Sequence, residues 1–301
     1  MHGSNSAISE GTVSNGMPEL DGSGALLLDH VLAEIDAERY EMPIFPPTAR
    51  RILAITRDSE MDDSGLILLI GTDPILSLMV LRQTGAPSVS AAITENGADM
   101  LRTMLTAQAL RHTRSPRSGW AKQEIVLAYR HCMEVAAYSS VIGENLKGLD
   151  ADKALLCGLL NDIGVFPVVA AVDDRVGIEG DTRVFESVVQ RVRNLVGSML
   201  LSRWEMDKDL VNAVEDAENW FREGSTRPDY TDVVQVAQLH SFIGTPRALR
   251  VPDMEEIRSF RKIAGSPASP RFGIALKHAG KRRLAAWEQT LERLMSNRRP
   301  V

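Results

Sequence analysis

Gly158-Leu159-Leu160-Asn161-Asp162-Ile163-Gly164 is the stretch on which the fold turns. It closes the apolar run Leu155-Leu156-Cys157-Gly158-Leu159-Leu160, whose leucines recur at the three-to-four spacing of one helix face. Asp150 stands just ahead of that pattern, where a carboxylate can accept from the free N–H groups of a first turn. The reading is a buried helix, capped at Asp150 and interrupted by Asp162 before it reaches membrane-spanning length. Upstream, a long helix starts at Trp120, carries Ile125, Ala128, Cys132, Val135, Ala136, Ser139 and Ile142 on one face, and ends by Gly148. Downstream, helices are expected over 183–203, 207–222 and 229–243, after an acidic, glycine-rich loop from Asp173 to Asp181. Strand-like alternation is scarce, so the chain reads as all-α.

Further out, residues 1–24 are rich in Ser, Gly and Asn and read as a disordered leader. Residues 25–40 follow as an amphipathic helix with Leu26, Leu27, Val31, Leu32 and Ile35 in register, and with His30 as a boundary residue. After a turn at Pro43–Pro47, Thr48 is placed to cap a helix carrying Ile52 and Ile55, and Asp62–Ser64 to cap one carrying Leu66 and Ile70. Asp73-Pro74 is a third start signal, because proline at the first helical position loses no hydrogen bond; that helix should stop near Gly85. The basic, proline-containing stretch Arg111–Gly119 reads as a joint, with Arg111, Arg114 and Arg117 on a solvated loop. The domain is therefore placed at 25–262, with a helical subdomain over 25–115 and a second over 116–262. A linker and a basic amphipathic C-terminal helix follow over 263–301.

The chain of 301 residues can bury a sizeable core, and its formal net charge of −6 gives no general electrostatic reason to bind nucleic acid. Cys132 and Cys157 both lie in apolar helical patterns and read as buried free thiols of a reducing compartment. No apolar signal segment is visible near Met1, so a cytoplasmic protein without a membrane role is expected. Phosphate-loop, dinucleotide, H-E-x-x-H and C-x-x-C patterns are missing, and Ser139, Ser140 and Ser187 have no histidine at an activating spacing. His240 and His278 read as ordinary helix-face residues, and Trp204 and Trp220 as core anchors.

Gly158–Gly164 resembles the Gly-Leu-Leu-His-Asp-Ile-Gly signature of the HD superfamily of metal-dependent phosphohydrolases, with Asn161 in place of the histidine. Three more landmarks resemble one branch, the HDOD output domain. They are Met42-Pro43-Ile44-Phe45-Pro46-Pro47-Thr48-Ala49, Ile70-Gly71-Thr72-Asp73-Pro74, and Leu200-Leu201-Ser202-Arg203-Trp204, the Trp seven residues after Gly197. Together they span about residues 40–245. The resemblance implies a helical subdomain packed on a degenerate HD-type helical bundle.

It also implies where metal ligands would stand. His131 occupies the place of the first histidine and Asp162 is kept, while the second histidine is Asn161. A further histidine aligns with Arg193, a histidine pair with Ala217-Glu218, and the last aspartate with Gln238. One imidazole and one carboxylate are too few to hold an ion that activates water. No catalytic, cofactor-binding or metal residue is therefore expected. His131, Asn161, Asp162, Arg193 and Gln238 are expected to form a remnant polar pocket, with His131 and Asp162 hydrogen-bonded and Arg193 neutralising Asp162. The implied role is a non-catalytic output or scaffold module working by protein–protein contact beside a two-component regulator, a kinase or a cyclic-di-nucleotide enzyme. The alternatives are a divergent phosphohydrolase using His131 and Asp162, and a nucleotide sensor without turnover. The C-terminal segment repeats Leu276, Leu284, Trp287, Leu291 and Leu294 at helical spacing among basic residues, and is expected to pack back on the domain.

Overall fold

The computed structural model describes residues 42–175, 182–264 and 270–296, with Leu26, Asp29 and Ala33 as isolated helical positions. The leader over 1–24, most of the helix expected at 25–40, the end of the acidic loop and the 265–269 linker lie outside the described residues. Five helices make the first subdomain: α1 (Pro46–Arg57), α2 (Asp63–Gly71), α3 (Pro74–Thr84), α4 (Val89–Asn96) and α5 (Ala98–His112). Among the described residues the only strand-like feature is an isolated bridge between Ile44 and Thr113, which ties the two ends of this subdomain together.

Start signals act as their chemistry dictates at most ends. Asp62 accepts from the Gly65 amide, Asp73 from the Ile75 and Leu76 amides, and Asp150 from the Lys153 amide. Gly85 ends α3 in the left-handed conformation at φ 68°, which a glycine adopts without strain. Thr48 departs from expectation. Helix α1 begins two residues earlier on Pro46, so Thr48 lies inside the first turn, fully buried, with its hydroxyl turned to Asp73.

The second subdomain is built on α6 (Gly119–Asn145), 27 residues long, with α7 (Ala151–Leu160) lying along it. A Cβ on Gly158 would come within 2.4 Å of the Ser139 hydroxyl, and one on Gly143 within 2.7 Å of the Ala154 Cβ. Glycine at these two places lets the helix backbones approach. After a turn over 161–164 come α8 (Val165–Arg175), α9 (Thr182–Arg203), α10 (Lys208–Glu215), α11 (Tyr230–Phe242) and α12 (Arg258–Ala264). Residues Ala151–Asp174 together are apolar and long enough to cross a membrane, at mean hydropathy 2.0. Asp162 thus does not shorten them below that length. Their apolarity is explained by burial, since 89% of the most apolar window lies inside the fold.

Two segments differ from the sequence reading. Asp173 and Asp174 sit in the last turn of α8, not in a loop. Their carboxylates are used: Asp173 accepts from the Arg117 and Ser118 amides at the start of α6, and Asp174 pairs with Arg114. The basic joint is thereby pinned rather than solvated along its length. The helix expected over 207–222 ends at Glu215, because side chains of α11 claim the carbonyls beyond it. Gln235 donates to the Asp216 and Asn219 carbonyls at 2.7 and 2.8 Å, and Gln238 to that of Ala217 at 3.3 Å.

The last helix, α13 (Pro270–Ser296), packs back across α6 as expected and reaches α1 and α2 of the first subdomain. Leu276 and Leu291 are buried, and Arg283 forks onto both oxygens of Glu144 at 2.8 and 2.9 Å. Gly280 lies against the ring of Tyr138, where an added Cβ would be 2.2 Å from the ring edge. Trp220 is buried as a core anchor, whereas Trp204 is half-buried with the Arg82 guanidinium 4.0 Å over its ring. Both cysteines are free and buried.

Candidate functional site

The turn Asn161-Asp162-Ile163-Gly164 is pressed against α9. A Cβ on Gly164 would lie 1.9 Å from the Arg193 carbonyl oxygen and 2.6 Å from the Gly197 nitrogen. A Cβ on Gly197 would in turn meet Val214 at 2.8 Å and the Gly164 nitrogen at 3.2 Å. Turn and helix therefore touch backbone to backbone, an approach open only to glycine on both sides. This contact delivers the side chain of Arg193 to Asp162.

The Arg193 Nε stands 3.5 Å from one Asp162 oxygen, and the His131 Nε2 stands 3.6 Å from the other. Arg193 also pairs through its terminal nitrogen with Glu218, in the turn after α10. Burial works to raise the Asp162 pKa, but Arg193, with His131 and Arg247, more than offsets it and holds the carboxyl below the usual range. Burial likewise opposes the charge of Arg193, and Asp162 and Glu218 keep it protonated. His131 goes the other way. Burial pulls its pKa down to about 4 against the pull of Asp162, so it is a neutral imidazole at pH 7. Its ring lies parallel to that of Phe242, with centroids 5.5 Å apart.

Three of the five expected residues thus meet: His131, Asp162 and Arg193. The expected His131–Asp162 hydrogen bond is instead a longer contact. Asn161 departs more sharply. It is 1% exposed, yet neither its amide oxygen nor its amide nitrogen has a hydrogen-bond partner among the described residues. Gln238 is buried but serves the Ala217 carbonyl. Glu218 and Arg247 were not foreseen from the sequence. Glu218 was marked only as a place where histidine is missing, and nothing local distinguishes Arg247, whose guanidinium lies 5.6 Å over the Phe242 ring.

A second buried network was missed altogether. Thr48 donates to Asp73 at 3.0 Å and meets the hydroxyl of Tyr129 on α6. Arg51 stands 3.5 Å from Asp73 and donates to the Leu69 carbonyl and the Thr72 hydroxyl at 2.9 and 2.7 Å. Asp73 is fully buried, and there burial wins: its pKa is raised despite Arg51, the capping amides and Thr48. This network sews α1 and α3 of the first subdomain to α6 of the second.

A divalent metal of HD type does not fit the residues around Asp162. Its two oxygens face a guanidinium, which has no lone pair to give, and an imidazole. Among the described residues no group of three or more His, Cys, Asp or Glu is arranged to hold an ion.

The HDOD domain family matches this chain over residues 42–220. No curated protein matches it. Among solved structures, the MmoQ response regulator from Methylococcus capsulatus is 19% identical, with 85% of this chain and 98% of that one aligned at a TM-score of 0.52. An HDOD domain protein of unknown function from Geobacter sulfurreducens is 17% identical over 88% and 98% of the two chains, at a TM-score of 0.43. At such identities the likeness to MmoQ speaks to the fold.

Proposed function

Because the chain belongs to the HDOD domain family, we propose that it is a signal-transduction module that works by protein–protein contact and uses its HD-type centre as a structural joint. The observation that carries this is Arg193. Its side chain is 3% exposed, it neutralises Asp162, and it is itself tied to Glu218. A buried cation of fixed charge meets the need that a metal ion would otherwise meet, and it brings no activated water. His131, neutral and stacked on Phe242, then acts as packing between α6 and α11. The fold shared with a response regulator supports seeking the partner among two-component regulators, kinases and cyclic-di-nucleotide enzymes of the cytoplasm.

Metal analysis of the purified full chain, with assays on phosphomonoesters, nucleotides and cyclic dinucleotides, tests the joint. The expected result is metal far below one ion per chain and no turnover. Stoichiometric Fe, Mn or Zn with turnover lost in His131→Ala would overturn it. Affinity purification from the native cell tests the contact, with a two-component or cyclic-di-nucleotide protein as the expected prey.

A further inference from the structure

A cavity of about 320 Å³ lies where the two subdomains and the last helix meet, and its lining includes neither Asp162 nor His131, Asn161 or Arg193. Its walls are Ile67 and Leu68 of α2, Val89 of α4, Leu155 of α7 and the half-buried indole of Trp287 on α13. Ser64, Ser88 and Ser90 also line it, the Ser88 hydroxyl already accepting from the Ala91 amide. Among the described lining residues the one that is charged is Asp152, which is exposed and without an ion pair to any described residue. Pockets of this size, walled by apolar and aromatic groups with a few polar ones, at a junction between structural units, are where small molecules bind. Gly71 adds an independent sign of room. It lines the cavity on the last turn of α2, and a Cβ built there meets nothing within 4 Å.

We propose that this cavity is a small-molecule site for an apolar or aromatic amine, its ring against Trp287 and its ammonium toward Asp152. The charge pattern selects the class. The exposed carboxylate of Asp152 disfavours phosphates and carboxylic acids, and no cation among the described lining residues offsets it. An ammonium gains attraction from Asp152 and from the face of an indole. The ligand would touch α2, α4, α7 and α13 at once, coupling the last helix to both subdomains. The site goes beyond the joint described above and stands whether or not a protein partner is found.

The test is calorimetric and thermal titration of the full chain with three molecules of one shape: phenethylamine, 2-phenylethanol and 3-phenylpropionate. Saturable binding in the order amine, alcohol, acid is expected, with the amine favoured over the alcohol by about fivefold, the factor a unit charge pair at ~4 Å supplies in water. Gly71→Leu should abolish binding while leaving the melting temperature equal or higher, since a helix-forming side chain replaces glycine in open space. Asp152→Asn, a surface change, should keep binding and erase the preference for the amine. Equal binding of all three, binding unchanged in Gly71→Leu, or no saturable binding would each overturn the proposal. The last outcome includes the case in which the chain's own terminal residues fill the cavity.

Discussion

Asp73 and Asp162 are both buried carboxylates with an arginine nitrogen 3.5 Å away, yet they sit in opposite kinds of surroundings. Asp73 is saturated: Thr48 and the Ile75 and Leu76 amides all donate to it, and Arg51 is held in turn by Leu69 and Thr72. Asp162 receives long ionic contacts and no hydrogen bond to its carboxylate among the described residues, beside an Asn161 whose amide is unpartnered. The difference teaches which joint is held by hydrogen bonds and which by charge alone.

The largest break in that comparison is expected at the saturated joint. Asp73→Ala strips Arg51 of its buried counter-charge and α3 of its cap, and should cost about 4 kcal/mol in urea unfolding. Arg193→Met should cost less, about 3 kcal/mol, because no helix cap is lost with it and the partly exposed Glu218 can turn to water. A larger loss for Arg193→Met than for Asp73→Ala would reverse the ranking.

Acid should separate the two sites by sign. His131 has a folded pKa of about 4, below its ordinary 6.5, so the unfolded chain binds the proton first and stability falls as pH drops through that window. The loss should reach up to about 3 kcal/mol and be absent in His131→Phe, read from denaturation midpoints between those pH values. Asp162, depressed, loses its contribution only below the usual carboxylate range, as pH falls through its folded pKa. Asp73, raised, adds stability at low pH that is lost as pH rises through its folded pKa.

The smallest effects sharpen the contrast most. Asn161→Leu should stabilise the chain by about 1 kcal/mol, since it replaces an unsatisfied amide with an apolar group of similar size. Thr48→Val, an equally slight change, should instead cost about 1.5 kcal/mol, because it removes a donor from a buried carboxylate. Equilibrium unfolding of the two variants side by side would show opposite shifts, and shifts of one sign would dissolve the distinction.

Much of this was legible from local chemistry. Asp62, Asp73 and Asp150 announce helix starts because a carboxylate before an apolar run finds the free amides within three residues, whereas the meeting of His131, Asp162 and Arg193 was implied by the resemblance to the HD signature. What escaped notice acts across distance. Thr48 looked like a cap because nothing nearby in sequence reveals Tyr129, 81 positions on. The helix after Asp207 looked longer because Gln235 and Gln238, which capture its next carbonyls, lie on another element. Asn161 looked like a network member because its donor and acceptor capacity is visible in the sequence, while the lack of partners is a property of the packed interior.

The contact between Gly164 and Gly197 has a consequence for how such chains drift. Two bare backbones in van der Waals touch tolerate no side chain on either, whatever reaction the neighbouring groups perform or have given up. The side chains around them, Asn161, Arg193 and Gln238, are under no such backbone constraint, and Asn161 is not even held by a hydrogen bond to a described residue. Kinship written in glycines would therefore outlast kinship written in ligands, and the most recognisable part of this signature is the part least informative about activity.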